Sequence, residues 1–179
     1  MKRFLFLAVF ILFPLSASLA SDFSVVPEKS SVRFTSEAPM ETVRGETQKI
    51  SGTVSVNPPS MAAAKASFSV DAGSLKTGNR LRDKNMRNNF LHTAQFPEIV
   101  FRLTGMGGTL ATGKFTLHGV TKEIKIPVTA LWNDKNNTLQ VKSKFSILLS
   151  DYGIERPRIL LLRLSDTVEV DLDIHLQEL

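Results

Sequence analysis

Few side chains in this sequence could ligate a metal ion or transfer a proton, and their spacing brings none of them together. The three histidines, His92, His118 and His175, stand in unlike settings, and the 179 residues include no cysteine. No two histidines have the spacing of about three or four residues that places two metal ligands on one face of a helix. The sequence therefore predicts three unrelated surface or loop histidines, no metal site, no catalytic residue and no cofactor.

The strongest cluster of charge is basic and lies in residues 80–87. It contains Arg80, Arg82, Lys84 and Arg87, with Asp83 between them. Aromatic residues are not interleaved with these cations, and acidic residues are spread through the rest of the chain, so the pattern does not favour a nucleic acid partner. The cluster is better interpreted as structural, or as a binding point for an anionic head group.

The elements that must position these groups are strands, because hydrophobic residues alternate with polar ones along most of the chain. In residues 167–177, for example, Val168, Val170 and Leu172 share one face of the predicted strand. Turn signals such as His118-Gly119 separate the runs, so the pattern predicts an all-β fold of about eight strands in antiparallel hairpins, as a barrel or a sandwich. Similar runs occupy residues 66–71, 98–103, 114–118, 122–131 and 139–149, with two more around Val32 and Phe34 and around Val54 and Val56.

One segment, residues 75–93, shows no such alternation. Asn79 is a good helix-capping residue, so a short helix is expected to begin near Arg80. Leu81, Met86 and Phe90 can then lie on one side of that helix. The segment is predicted to form a helix and loop that cross one end of the barrel.

The first residues have the pattern of an export signal. Lys2 and Arg3 precede an apolar run at residues 4–15, and Ser18 and Ala20 have the spacing of a signal-peptidase site. Residues 1–20 are therefore predicted to be a signal peptide and residues 21–179 one domain, periplasmic or secreted. Without Lys2 and Arg3 the 22 basic residues become 20 against 17 acidic ones, a net charge of +3.

Three motifs, in order along the chain, resemble signatures of the YceI-like family. The first is TGNRxRD at residues 77–83, followed by NFL at 89–91 and QFPEIxF at 95–101. The second is GKFTLHGVTK at residues 113–122, and the third is DYGI at 151–154 before the alternating final strand. The resemblance implies a lipocalin-like, eight-stranded antiparallel barrel with an elongated apolar cavity.

The resemblance also implies a class of ligand. Members of that family are associated with long polyisoprenoid chains, quinone-type lipids included; they are generally exported, and some respond to acid, base or osmotic stress. The implied partner is a long-chain isoprenoid lipid, with transient contact to a membrane surface. The histidines that many members have around the first strand, and after the Arg82-Asp83 pair, are missing here, so no head-group or metal role is transferred from them.

The resulting hypothesis is an exported carrier that holds a long apolar lipid inside the barrel. Two alternatives stay open: a stress-related interaction protein with a solid barrel, and an enzyme that acts on a lipid or a quinone. Arg80, Arg82 and Arg87 are predicted to contact a phosphate or a quinone oxygen at the mouth, although Arg82 and Asp83 could instead hold the crossing segment in place. The oligomeric state is left open, a homodimer included. The inward apolar residues predicted to line the cavity are Phe68, Val70, Ile99, Phe101, Phe115, Leu117, Ile126, Val128, Phe145, Ile147, Val170, Leu172 and Ile174.

Overall fold

The computed structural model describes residues 20–38, 41–58, 60–156, 158–159 and 162–179. The predicted signal peptide, residues 1–20, lies outside this description except for Ala20. Among the residues that are described, none belongs to a helix with the length and apolar character that crossing a membrane requires.

Strands dominate the described part of the chain, as the alternation of apolar and polar residues predicts. They are, in chain order, β1 Ser21–Val25, β2 Ser31–Ala38, β3 Glu41–Thr47, β4 Ile50–Asn57, β5 Ser60–Asp71, β6 Glu98–Gly107, β7 Leu110–Leu117, β8 Val120–Pro127, β9 Thr129–Asn133, β10 Thr138–Leu148, β11 Arg158–Ile159, β12 Leu162–Arg163 and β13 Thr167–Glu178.

Within the described residues, helical structure is limited to short segments. The α-helix α1, Arg80–Asn85, continues as a π-helical turn, Met86–Phe90, and the two together are called the crossing helix below. Three 3-10 turns occupy Pro27–Lys29, Ala72–Ser74 and Ser150–Tyr152. The helix predicted to begin near Arg80 is thereby confirmed.

Antiparallel pairing joins eleven of the described strands into one curled sheet. One edge of β13 pairs with β2 and then β1, while its other edge pairs with β10 along the whole length of that strand. β3 and β4 pair in turn with β2 and β1. β1 and β2 therefore follow one another along a single line of the sheet, with an interruption between them. The same holds for β3 and β4, and for β8 and β9.

Counted as lines, the curled sheet has the eight strands of the predicted barrel. The pairing of β9 with β10 returns the sheet to its starting side. There the hydroxyl of Ser143 on β10 donates to the Pro127 carbonyl at the end of β8, at 2.7 Å. The all-β, antiparallel, lipocalin-like fold is thus confirmed, with β11 and β12 forming a separate hairpin.

Proline explains two of the interruptions. Pro27 begins the 3-10 turn between β1 and β2, and Pro127 ends β8, with only Val128 between it and the start of β9. Because proline has no backbone N–H and a fixed φ, it cannot continue a ladder on both sides. The single strand predicted at residues 122–131 is therefore wrong. β3, which the sequence did not predict, is the first half of the interrupted line that β4 continues.

The lower half of the barrel, at the end that holds the β1 N-terminus, is filled with side chains. Phe23 is fully buried there and meets Trp132 edge to face, with ring centroids 5.5 Å apart. A second buried cluster, which includes Phe115 and Tyr152, lies toward the opposite end. The filled cluster, called the base below, consists of Phe23, Val25, Val32, Ile50, Val54, Val56, Val70, Leu139, Ile174 and Leu176.

Candidate functional site

The crossing helix is built by local hydrogen bonds at its start. The Asn79 side-chain oxygen accepts from the backbone N–H groups of Leu81, at 3.0 Å, and Arg82, at 3.1 Å. Such a cap satisfies two of the N–H groups that the first turn of a helix leaves without a partner. The helix therefore begins at a residue that the sequence defines.

Arg82 and Asp83 then fix the crossing helix to the barrel. The buried Asp83 carboxylate accepts from the backbone N–H of Thr77, at 2.8 Å, and from its hydroxyl, at 2.6 Å. The Arg82 guanidinium donates to the Thr77 hydroxyl at 2.8 Å and forms an ion pair with Glu41 on β3. These contacts match the structural role that the sequence allowed for the pair.

The same segment covers the edge of β3. Glu46 and Lys76 exchange backbone hydrogen bonds of 2.9 and 3.1 Å, as in a short antiparallel ladder. The residues before the crossing helix thus replace a neighbouring strand for β3. They close the side of the barrel and bring the helix over its end.

Above the base lies an interior cavity of about 600 Å³. All thirteen apolar residues predicted to line a cavity lie at its wall. Their contact with a ligand stays a prediction, but the alternation assigned to six predicted strands puts each of them at this wall. The volume is within the range of roughly 300–1,000 Å³ that is usual for small-molecule sites.

Further residues at the wall escaped the sequence analysis, although a signal for several of them was present. Phe34, Val141 and Val168 belong to the alternating runs that the sequence analysis had identified, but they were not included among the residues predicted to line the cavity. The other apolar residues at the wall that were not predicted are Val32, Val43, Ile50, Leu75, Leu81, Met86, Phe90, Leu91, Leu149, Ile154 and Leu164.

Two of the phenylalanines at the wall pack against glycines of neighbouring strands. A Cβ atom added to Gly45 would come within 2.3 Å of the Phe34 ring, and one added to Gly113 within 2.4 Å of the Phe101 ring. Each ring therefore uses the space that a side chain on the next strand would occupy. As a result the rings cover the wall, and the centre of the barrel stays open.

The cavity meets solvent at the crossing helix, in a region called the mouth below. Asn79, Leu81 and Asn85 line the cavity and are also exposed, Leu81 with 68% of its surface. Of the three arginines predicted for the mouth, only Arg82 lies at the wall. Arg80 and Arg87 lie on the helix outside the wall, since the inward side of the helix is taken by Leu81, Met86 and Phe90.

The wall offers almost no chemistry for proton transfer. Within the part of the chain that the structure describes, the only ionisable residues that line the cavity are Arg33 and Arg82. Neither is suited to act as a general base or a nucleophile, because a guanidinium group has five N–H donors and no acceptor atom. The nearby Tyr152 is buried, and burial, with a smaller contribution from Asp151, raises the pKa of its phenol, so this ring is neutral.

The histidines are not all unrelated, as the sequence had suggested. His92 Nδ1 and His118 Nε2 lie 2.8 Å apart, and His118 Nδ1 lies 3.0 Å from the Tyr152 carbonyl. The fold brings together the loop after the crossing helix and the β7–β8 turn, which local spacing could not indicate. No group of three or more metal-ligating side chains occurs among the residues described, and His175 lies apart, against Asp173.

Comparison with known proteins places this barrel among its relatives. The sequence profile of the YceI-like domain matches residues 23–176. A UPF0312 protein of Shewanella sp. strain MR-7 is 32% identical over 159 residues, which cover 82% of this chain and 83% of that protein.

Solved structures share the fold at lower sequence identity. BcnA of Burkholderia cenocepacia superposes with a TM-score of 0.74 at 21% identity, covering 84% of this chain and 98% of that one. A polyisoprenoid binding domain from Saccharophagus degradans, implicated in plant cell wall breakdown, superposes with a TM-score of 0.70 at 18% identity. That alignment covers 88% of this chain and 98% of the Saccharophagus domain.

Proposed function

Because the chain belongs to the YceI-like family, we propose that it binds and carries a long apolar lipid, of polyisoprenoid or isoprenoid quinone type, inside its barrel. The observation that carries this proposal is the cavity of about 600 Å³ with an almost wholly hydrocarbon wall. The polyisoprenoid binding domain of similar fold supports the choice of ligand class.

The hydrophobic effect is large enough to hold such a ligand. Transfer of one CH₂ group from water to an apolar site is worth about 0.8 kcal/mol. Ten such groups contribute about 8 kcal/mol. Before the cost of immobilising the ligand is subtracted, this free energy corresponds to a Kd of about 1 μM. A long isoprenoid tail that entered the barrel would exceed that number of groups, so burial of the tail can supply the affinity.

The two alternatives have less support. The alternative of a solid barrel does not fit an interior whose upper half is a cavity. The filled base shows that this fold can pack its interior where the sequence provides the side chains. An enzyme would need titratable groups with shifted pKa values at the cavity wall, and the described wall has only Arg33 and Arg82. Binding is therefore the better proposal.

Export completes the proposed role. Residues 1–20 have the pattern of a signal peptide, and a carrier is useful in an aqueous compartment because a long lipid cannot cross water unaided. We therefore place the mature chain in the periplasm, or outside the cell, as part of the proposal.

The direct test is to recover the ligand. The protein is purified from its native envelope without detergent, extracted with organic solvent, and the extract analysed by mass spectrometry. We expect an isoprenoid lipid in the extract, and we expect polyprenol added to the stripped protein at 100 times its Kd to stabilise the fold by about 2.7 kcal/mol. For a chain of this size that is a rise in Tm of roughly 5–10 °C. An empty extract together with an unchanged Tm would contradict the proposal.

The mouth is suited to a membrane surface. Arg80, Lys84 and Arg87 form no ion pair among the described residues, and they lie on the same crossing helix as Leu81, whose surface is 68% exposed. Arg80 and Lys84 lie one helical turn apart, where like charges disfavour the helix unless a partner is present. An anionic bilayer provides that partner and lets Leu81 enter its apolar boundary, next to the opening through which the lipid would pass.

Removing two of these cations should weaken membrane attachment. Each lysine or arginine near an anionic surface contributes about 1 kcal/mol, so the double variant Arg80→Gln and Lys84→Gln should bind vesicles containing phosphatidylglycerol about 30-fold more weakly. Vesicle co-sedimentation at low salt measures the effect. The matched control, Lys65→Gln and Lys125→Gln, removes the same charge from exposed strand positions. Equal loss in both variants would show general charge attraction and would remove the mouth from the proposal.

A further inference from the structure

One polar group at the cavity wall has no use in the fold. Ser36 is 95% buried and lines the cavity, and its hydroxyl is the one buried side-chain oxygen or nitrogen without a hydrogen-bond partner in the described part of the chain. Buried hydroxyls are normally hydrogen-bonded, because leaving one without a partner costs free energy. An exception at a cavity wall is a candidate for ligand contact.

The position of Ser36 explains why the fold provides no partner. β2 lies between β3 and β13, and Ser36 is paired with Val43 on one side and Val168 on the other. Its neighbours across both ladders are therefore apolar, buried side chains that also line the cavity. The hydroxyl has only the interior to face, since Ser36 shares the inward phase of Val32 and Phe34.

A second serine at the wall provides the contrast. Ser143 is also buried and lines the cavity, but its hydroxyl donates to the Pro127 carbonyl at 2.7 Å and helps to close the barrel. The polarity of Ser143 thus has a structural reason, whereas that of Ser36 has none in the described structure.

We propose that Ser36 is a recognition point for an oxygen atom of the bound lipid, a carbonyl or a hydroxyl, so that the cargo is an oxygen-bearing isoprenoid rather than a pure hydrocarbon. This inference rests on the proposed function. A serine hydroxyl both donates and accepts, so it suits a ketone or quinone oxygen as well as an alcohol.

The place of Ser36 in the barrel also sets the orientation of the cargo. It lies two residues before the end of β2, on the side where Glu41 pairs with Arg82 of the crossing helix. Thr77, Asn79 and Arg82 line the cavity at that same end, whereas the base is closed by apolar side chains. The polar end of the lipid therefore stays near the mouth, and the tail points to the base.

The test compares three probes with the same carbon skeleton: geranylgeraniol, its aldehyde geranylgeranial and the hydrocarbon that lacks the oxygen. Calorimetric titration of the stripped protein should give a Kd about tenfold lower for each oxygen-bearing probe than for the hydrocarbon, the gain expected of one hydrogen bond to a buried group. In Ser36→Ala the tenfold preference should vanish, because the hydroxyl that pairs with the lipid oxygen is gone. In the control Ser143→Ala the preference should persist, although the protein should melt at a lower temperature.

Separate outcomes overturn the two claims. If wild type binds none of the three probes, the proposed function fails, and the inference fails with it. If the probes bind but Ser36→Ala keeps the tenfold preference, the inference alone is wrong. The Tm of the empty Ser36→Ala protein gives a second check, because a structural serine would lower it on removal, whereas a hydroxyl without a partner should leave it equal or higher.

Discussion

Replacing Val170 with tryptophan should strongly weaken lipid binding while the barrel remains folded. Val170 lies at the cavity wall on β13, directly opposite Phe34 on β2 and Phe145 on β10. An indole at this position would occupy the middle of the cavity and displace several CH₂ groups of the tail. Loss of three or four such groups is about 3 kcal/mol, so the Kd for a polyprenol should rise at least about 100-fold.

The control for this experiment uses the opposite face of the adjoining strand. Ser146 is exposed on β10, next to Phe145, so Ser146→Trp adds the same ring on the outside of the barrel. It should leave the Kd within about twofold. Circular dichroism and the Tm must show both variants folded. Wild-type affinity in a folded Val170→Trp protein would mean that the lipid is not held in this cavity.

Replacing Phe23 with alanine should have the largest effect on stability. Phe23 is fully buried in the base and makes the edge-to-face contact with Trp132. Truncating a buried phenylalanine costs about 3–5 kcal/mol, because the surrounding side chains close the void only in part. For a protein of this size the Tm should fall by roughly 6–20 °C, which differential scanning calorimetry measures directly.

A phenylalanine from the hollow half of the barrel is the natural comparison. Phe145 lines the cavity and is only partly buried, with its ring against Phe115 at a centroid distance of 6.2 Å. Since part of its surface has no protein neighbour, Phe145→Ala should cost clearly less than Phe23→Ala. Equal losses would contradict the division of the barrel into a filled base and a hollow upper half.

The inward and outward faces of the strands could be predicted from the sequence because a period of two is a local property. Val170, Leu172 and Ile174 alternate with acidic residues and a histidine along β13, and one ladder of pairing forces the whole set inward together. The same logic placed Phe115 and Leu117 on β7. Asn79 could be identified as a cap because capping also acts within three residues.

The interruptions of the strand lines and the contact between His92 and His118 could not be predicted from local patterns in the sequence. β3 escaped prediction because Val43 is its only large buried apolar side chain, so the strand is defined by its pairing with β2 rather than by its own pattern. His92 and His118 meet because the loop after the crossing helix folds against the β7–β8 turn. Contacts of this kind depend on the closed barrel, not on spacing along the chain.

Whether the barrel is hollow was also beyond the alternation, since a filled and an open interior need the same inward phase. Phe23 and Phe101 follow the same rule of alternation, yet Phe23 fills the base and Phe101 covers the wall of the cavity. The difference lies in the partner strand. Gly113 offers the Phe101 ring a place against the sheet, whereas Phe23 packs against Trp132 and has no such place.

The glycines that pack against Phe34 and Phe101 also mean that the width of the cavity depends on residues behind the side chains that line it. A single methyl group added at Gly45 or Gly113 would push a ring toward the axis, because the new Cβ would stand within 2.4 Å of ring atoms. The width of the ligand that the cavity accepts could therefore differ between relatives although every residue that contacts the ligand is the same. In such a barrel, residues that make no contact with the ligand help to determine which ligands fit.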